Sequence, residues 1–373
     1  MVCSMTNDKG ILIHNIYYML SYAYQVLQQS DYQSIAAEEF EHIDDLFAAI
    51  LAKGIARQLK QGLYREYVPR SETLPVLRGK LDFPQTIWNR TRYDTKLACT
   101  FDELSENNLY NQILKTTLQV LLRDASVSPI RKVELKKLRV LLQDISELSP
   151  AEIRWNELRY QRNNKNYEMM MNLCYFVLHD LIQTTEQGDH RMDVFSEQHM
   201  ARLFERFILE YYRQHHTYLS EVKAAQIKWD LCGENDDSAV QFLPAMQTDI
   251  WLRYHDKILI LDAKYYGKTM QQQFDKATLH SANLYQIYTY VKNQDVTHSG
   301  NVAGMLVYAK TQETITPDCM FNLSGNQIGA CTLDLNQNFR QITAQLDRIA
   351  EHFFGRRLCI VQTRMTDCRT GET

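Results

Sequence analysis

An uninterrupted run of branched apolar residues, Ile258–Leu261, is the feature of this chain that most restricts its fold. A run without polar interruption is typical of a strand that is covered on both faces. Asp262 and Lys264 follow directly, two positions apart, so the alternation of side chains along a strand puts both on one face. The sequence therefore predicts a buried strand that ends in a carboxylate and an ammonium group side by side.

The predicted strand that contains this run is Lys257–Tyr265. A second strand, Gln247–Tyr254, is predicted immediately before it, and only His255 and Asp256 separate the two. Asp249 belongs to this second strand and precedes Asp262 by thirteen positions. A tight hairpin would therefore bring the two carboxylates together on adjacent strands. Carboxylate oxygens suit Mg²⁺, which takes few protein ligands and keeps several waters.

These three side chains together have the chemistry of a site for phosphodiester hydrolysis. A bound metal ion polarises a phosphoryl oxygen and lowers the pKa of a bound water. A neighbouring lysine orients that water or stabilises the negative charge that develops. We therefore predict Asp249 and Asp262 as Mg²⁺ ligands, and Asp249, Asp262 and Lys264 as catalytic residues. The alternative is a structural hairpin in which Asp249 and Lys264 form a cross-strand ion pair.

The first half of the chain is predicted to be mostly helical, with strands in its middle. Apolar residues recur at helical spacing over Asn15–Gln28 and Asp44–Gln61. Prolines and glycines punctuate short β-prone segments between Tyr64 and Thr100. A helix is then predicted from Phe101, with Ser105 as its N-cap. We predict that residues 1–165 form an α+β domain, in which helices carry a strand or hairpin insertion.

The second half has the element order of a small α/β domain with a mixed central sheet, predicted over residues 166–354. The two strands described above lie in the middle of this order, and residues 355–373 are predicted to be a disordered tail. The flanking elements are a helix over Glu197–Gln214, a strand over Ala224–Trp229, a helix over Ser281–Lys292 and a strand over Val302–Ala309.

Composition restricts the partners of the chain. Lys and Arg number 41 against 45 Asp and Glu, for a net charge of −4, whereas a domain that holds nucleic acid by itself is usually basic. Any DNA affinity must therefore come from a local patch or from a partner. The eight cysteines form no C-x-x-C pair, so we expect no zinc site and reduced thiols in the cytoplasm. No apolar run reaches about 18 residues, so we expect no membrane span, and we see no signal peptide.

Asp249 and the segment Asp262-Ala263-Lys264 resemble the core of the PD-(D/E)xK nucleases, with Thr248 where that pattern has proline. Downstream, Gln286 and Tyr290 match the Q-x-x-x-Y helix motif of several such nucleases and lie one helical turn apart. Glu205 lies in the helix before the sheet, where a subset of these nucleases has an acidic residue. The resemblance makes Glu205, Gln286 and Tyr290 candidate accessory residues. The alternatives are ordinary helix packing for Gln286 and Tyr290 and a solvated side chain for Glu205.

The likeness extends beyond the nuclease core to most of the chain, from about Ile13 to about Phe354. The chain resembles the McrC family, which comprises the nuclease subunits of McrBC 5-methylcytosine-dependent restriction systems. The segments that carry this resemblance are Asn15–Ala23, Arg78–Asp82, Phe101–Leu104 and Leu243–Asp249.

The resemblance implies a division of labour between two proteins. Members of this family act with McrB, an AAA+ GTPase that forms a ring and reads the modified cytosine in double-stranded DNA. They insert an N-terminal domain into that ring, stimulate GTP hydrolysis and deliver the nuclease. GTP would then be bound by the partner, and this chain has no G-x-x-x-x-G-K-[ST] loop of its own.

Several alternatives stay open at this point. One alternative is a PD-(D/E)xK nuclease of another defence or repair system. Another is a non-catalytic regulator of an AAA+ ring. The basic segment Tyr64–Thr100 is a candidate partner contact or a solvated hairpin. The basic helix over Arg131–Gln143 is a solvated face or a contact for nucleic acid or a partner.

Overall fold

The computed structural model describes residues 7–8, 11–161, 164–183, 189–231, 240–265, 271–273, 276–310 and 316–355. The chain divides into two compact units, one of residues 1–8 and 24–196 (unit 1) and one of residues 9–23 and 197–373 (unit 2). The predicted tail lies outside the described residues apart from Gly355, as does most of the polar segment after Leu231.

Helices are the main elements of the described residues, and in this part of the chain no helix is long and apolar enough to cross a membrane. Short 3₁₀ helices cover Gln25–Gln28, Pro150–Glu152 and Trp155–Glu157. The α-helices are α1 (Ile13–Ala23), α2 (Ser30–Ala36), α3 (Ile43–Gln61), α4 (Phe83–Thr91), α5 (Leu109–Arg123), α6 (Pro129–Leu141), α7 (Lys165–Gln183), α8 (Asp189–His215), α9 (Ser281–Gln294) and α10 (Phe339–Phe354).

Strands alternate with these helices in both units. They are β1 (Asn7–Asp8), β2 (Ile11–Leu12), β3 (Glu66–Leu74), β4 (Lys80–Leu81), β5 (Leu97–Ser105), β6 (Glu221–Lys223), β7 (Gln226–Ile227), β8 (Met246–Gln247), β9 (Ile250–Tyr254), β10 (Lys257–Lys264), β11 (Gln271–Gln273), β12 (Lys276–Thr278), β13 (Val302–Ala309), β14 (Cys319–Leu323) and β15 (Asn326–Leu333).

Unit 1 packs helices around α3 and α5 and carries a three-stranded sheet in the order β3-β5-β4. The prediction of a helix from Phe101 with Ser105 as N-cap is wrong. Residues Leu97–Ser105 form β5, which is paired with β3 along its whole length. Helix α5 begins at Leu109, and its N-cap is Asn108, whose side chain accepts a hydrogen bond from the amide of Asn111.

The observed division differs from the predicted boundary at residue 165. Helix α7 belongs to unit 1, because its apolar side chains pack against α3 and α5. Tyr167 donates a hydrogen bond to Asn111 at 2.9 Å, and the Phe176 ring stacks on Phe47. Together these contacts fix α7 on the helical core of unit 1.

Helix α1 lies in unit 2, although the sequence placed it in the N-terminal domain. The side chain of Asn15 donates hydrogen bonds to the carbonyls of Leu335 and Gln337 at 2.7 and 2.8 Å. The Tyr18 ring stacks on Phe339 with 4.5 Å between ring centres. Polar and aromatic contacts with the C-terminal part of the chain therefore hold α1 in unit 2.

Unit 2 is built on a six-stranded mixed sheet in the order β14-β15-β13-β10-β9-β6, which confirms the predicted α/β class. Strand β10 lies inside this sheet, parallel to β13 and antiparallel to β9. Leu259, Ile260 and Leu261 are almost fully buried there. Helix α9 follows β10 in the sequence and packs on β13. Gly304 permits this packing, since a Cβ at that position would lie 2.6 Å from Ile287 and 2.8 Å from Val291.

Candidate active site

The β9–β10 hairpin brings the predicted carboxylates together. Leu261 pairs with Ile250, and the turn at His255 and Asp256 needs only two residues because His255 adopts a positive φ of 53°. Asp249 and Asp262 are the next residues beyond the Ile250–Leu261 pair. The hairpin prediction is thus confirmed, although Asp249 directly precedes β9 and is not part of the strand.

The Asp249 carboxylate takes the place of a backbone partner at this end of the hairpin. Its Oδ2 accepts a hydrogen bond from the amide of Ala263 at 2.9 Å. Burial, together with the negative charges of Asp262 and Glu205, raises the pKa of Asp249 to about 8. A proton or a cation is therefore favoured at this carboxylate.

Asp262 is the most deeply buried group of the site, with 1% of its surface exposed. Burial raises its pKa, while the neighbouring Lys264 opposes that rise. Its Oδ2 lies 2.8 Å from Lys264 Nζ, so the ammonium group of Lys264 is the charge partner of this buried oxygen. Buried carboxylates are stable when they are paired with a cation or coordinate a metal ion.

This donor set fits a divalent cation that prefers oxygen ligands. Mg²⁺ commonly takes one or two carboxylates and completes its shell with waters and substrate phosphates. Within the described residues no group of three His, Cys, Asp or Glu side chains has the geometry of a metal site. A cation here would therefore rely on the Asp249 and Asp262 carboxylates together with waters.

Lys264 is held from the side of helix α9. Its Nζ donates to Gln286 Oε1 at 3.2 Å, and Gln286 Nε2 donates to the Tyr290 hydroxyl at 2.9 Å. The hydroxyl of Tyr290 donates in turn to the carbonyl of Gln247 at 3.0 Å. The two residues of the Q-x-x-x-Y motif thus connect Lys264 to the strand that leads into Asp249.

Glu205 approaches the same group of charges from helix α8. Burial raises the pKa of Glu205, the positive charge of Lys264 lowers it, and the negative charge of Asp262 raises it. All six predicted site residues therefore share one electrostatic environment.

Sequence reasoning missed the contribution of Thr248. This residue was noted only as a departure from the proline of the PD-(D/E)xK pattern. In the structure its side chain is buried and forms hydrogen bonds with the backbone of Ala225. Of the predicted strand over Ala224–Trp229, only Gln226–Ile227 is a strand (β7), and β6 ends before it at Lys223.

Comparisons with known proteins give a consistent result. Residues 5–309 match the family model described as McrBC 5-methylcytosine restriction system component. The chain is 30% identical over 345 residues to the type IV methyl-directed restriction enzyme EcoKMcrBC of Escherichia coli K12, which covers 92% of this chain and 98% of that protein.

Two solved structures with detectable similarity come from Thermococcus gammatolerans. One is a half-complex from a tetradecameric assembly of McrB AAA+ hexamers with bound McrC, at 18% identity and a TM-score of 0.49, covering 91% of this chain and 76% of that one. Another is a cryo-EM structure of the McrBC complex, at 19% identity and a TM-score of 0.39, covering 55% and 59%.

Proposed function

Because this chain belongs to the family of McrBC 5-methylcytosine restriction system components, we propose that it is the DNA endonuclease subunit of such a system. In this proposal the chain hydrolyses phosphodiester bonds with Mg²⁺ and acts with an McrB-like AAA+ GTPase ring. The substrate is double-stranded DNA that contains modified cytosine, and the partner binds the GTP.

The observation that supports catalysis is the convergence of Asp249, Asp262 and Lys264 at one end of the hairpin. Mg²⁺ held by the two carboxylates supplies Lewis acidity toward a phosphoryl oxygen and a bound water. Asp249 and Asp262 fix the position of that cation. The ammonium group of Lys264 orients the attacking water and stabilises the charge that develops on the phosphate.

The accessory residues act through these three groups. Gln286 fixes the Lys264 ammonium by accepting a hydrogen bond from it, and Tyr290 fixes Gln286. Glu205 adds a further negative charge near the carboxylate pair. This charge favours the binding of a cation, because a bound cation reduces the repulsion among the three acidic groups.

Unit 1 is the proposed partner-binding part, and its strand segment is the candidate contact. Around α4 this segment exposes large apolar side chains that a monomer usually covers. Arg78 and Arg92 lie over the rings of Phe101 and Trp88, each 3.9 Å from the ring centre. An apolar surface with fixed guanidinium groups suits a protein contact. Its exposed members are Tyr67, Val76, Leu77, Phe83, Ile87, Trp88, Tyr93 and Leu104.

The basic helix α6 has a more limited charged face than its sequence suggests. Arg131 is buried and pairs with Glu38 and Glu134. This guanidinium therefore fastens α6 to unit 1 and is not available to a partner or to DNA. The low overall charge agrees with a chain that borrows DNA affinity from its GTPase.

The test is to co-express the full-length chain with the GTPase of the same system and assay cleavage with Mg²⁺ and GTP. We expect methylated DNA to be cut and unmethylated DNA to be spared. Asp262→Asn should abolish cleavage, while Asp256→Asn on the exposed turn of the same hairpin should leave it unchanged. Both variants should still form the complex on size-exclusion chromatography and raise GTP turnover. Near-normal cleavage by Asp262→Asn would refute the proposed active site.

A further inference from the structure

The pairing register slips by one residue next to Asp249. Strands β7 and β8 pair Gln226 with Gln247, whereas β6 and β9 pair Lys223 with Trp251. Between these two pairs, residues 224 and 225 face residues 248, 249 and 250. One extra residue on one side of an antiparallel pair is a β-bulge, which bends the strand and changes the direction of its side chains. Asp249 is the middle residue of the longer side.

Thr248 fastens this bulge to the opposite segment. Its backbone amide donates to the carbonyl of Ala225 at 2.9 Å, and its hydroxyl donates to the same carbonyl at 3.0 Å. The amide of Ala225 donates back to the Thr248 hydroxyl, also at 3.0 Å. Only 1% of Thr248 is exposed, so water cannot easily replace these bonds.

The bulge has a direct effect on the neighbouring hairpin. The ladder between β9 and β10 stops at the Ile250–Leu261 pair. Beyond it, the amide of Ala263 is bound by the side chain of Asp249 and not by a backbone carbonyl. The bend at the bulge therefore sets where the Asp249 carboxylate lies relative to Asp262.

We propose that Thr248 is a positioning residue for cation binding, because its hydroxyl locks the bulge that holds the Asp249 carboxylate beside Asp262. The proposal rests on the proposed function, in which these two carboxylates bind the metal ion. Thr248 touches neither the cation nor the substrate, and it acts through the backbone of the residue that follows it. Losing such an indirect support typically weakens metal affinity about 10- to 100-fold.

The test measures Mn²⁺ binding to the EDTA-treated full-length chain by electron paramagnetic resonance, with Mn²⁺ as a probe for Mg²⁺. Thr248→Val keeps the shape and removes the hydroxyl, and we expect it to weaken Mn²⁺ affinity about tenfold or more. Thr248→Ser keeps the hydroxyl and should bind Mn²⁺ like the wild type. Thr332→Val is the matched control. Thr332 lies in β15 of the six-stranded sheet, and its hydroxyl also donates to a backbone carbonyl, that of Pro317. This control should also bind like the wild type.

Wild-type Mn²⁺ affinity in Thr248→Val would overturn the proposal, as would failure of Thr248→Ser to restore binding. If Thr248→Val does not fold, Ala225→Pro removes one of the three hydrogen bonds and leaves Thr248 in place. Weakened binding in that variant supports the proposal, and unchanged binding overturns it. Asp262→Asn separates the two hypotheses. Wild-type affinity in Asp262→Asn overturns the metal site itself, whereas lost affinity there with normal affinity in Thr248→Val overturns only the role of Thr248.

Discussion

Replacing Asp249 by asparagine should stabilise the metal-free protein while it destroys the proposed activity. Asparagine has nearly the same shape, and its oxygen can still accept the hydrogen bond from the amide of Ala263. It cannot ionise, so it removes the cost of keeping a carboxyl group in a buried site beside Asp262 and Glu205. Groups that are arranged for binding a cation are expected to repel one another when no cation is present.

The magnitude follows from the pKa of Asp249, which rises from 3.8 in the unfolded chain to about 8 in the folded one. Since the folded state binds this proton more tightly, the wild-type protein loses stability as the pH rises from 3.8 toward 8. About three pH units separate 3.8 from pH 7, and each is equivalent to about 1.4 kcal/mol. The Asp249→Asn variant should therefore be more stable by up to about 4 kcal/mol at pH 7.

Urea denaturation in EDTA, followed by circular dichroism at pH 7 and at about pH 4.5, measures this difference. We expect the gain in the free energy of unfolding to shrink to about 1 kcal/mol at the lower pH, because the folded protein still holds the proton there and pH 4.5 lies only about 0.7 units above the pKa of Asp249 in the unfolded chain. Asp256→Asn, on the exposed turn of the same hairpin, should change neither value. Equal or lower stability of Asp249→Asn at pH 7, or a gain that persists unchanged at the lower pH, would refute the reasoning.

Four further predictions follow from the geometry. Lys264→Ala should abolish cleavage by the reconstituted complex while size-exclusion chromatography still shows complex formation, and residual cleavage near the wild-type rate would contradict its role. Gly304→Val should lower the melting temperature and the cleavage rate together, because its side chain would overlap Ile287 on α9, and an unchanged melting temperature would show that α9 tolerates displacement. Burial would raise the pKa of Asp295, but hydrogen bonds from Asn326, Ser299 and the Gly300 amide lower it to about 2. Its stabilisation of roughly 2 kcal/mol is therefore present above pH 3.8 and lost as the pH falls toward 2, and urea denaturation of Asp295→Asn should show that loss at pH 7 but not at pH 2. The isolated chain should bind DNA with a Kd weaker than about 1 μM at physiological salt, and tighter binding in a filter assay without the GTPase would place DNA recognition in this subunit.

The hairpin and its charged end could be predicted from the sequence because their determinants are local. Ile258–Leu261 has the pattern of a buried strand. A two-residue turn fixes the pairing register of the hairpin, and this register places Asp249 beside Asp262. The supports of the site could not be predicted, because they depend on residues that are distant in the sequence. Thr248 bonds to Ala225, twenty-three positions away, and no local pattern indicates such a pair.

The misassigned elements have a similar explanation. Ser105 has the side chain of an N-cap and therefore predicts a helix start in the segment before Leu109, whereas pairing with β3 makes Leu97–Ser105 a strand. The burial of Arg131 depends on Glu38, which is 93 positions away. Local charge patterns predict exposure for such a residue, and only the tertiary fold supplies the partner that permits burial.

The placement of helix α1 in unit 2 has a consequence for how the chain is synthesised. Asn15 leaves the ribosome before Leu335, whose carbonyl it binds and which is made 320 residues later. All of residues 24–196 are synthesised in between, so unit 1 can fold before its neighbour is complete. Unit 2 must then close a very long loop to dock α1, although the entropic cost of closure grows only slowly with loop length. Deleting residues of α1 would therefore destabilise unit 2, which holds the candidate nuclease site, although that site is far from α1 in the sequence.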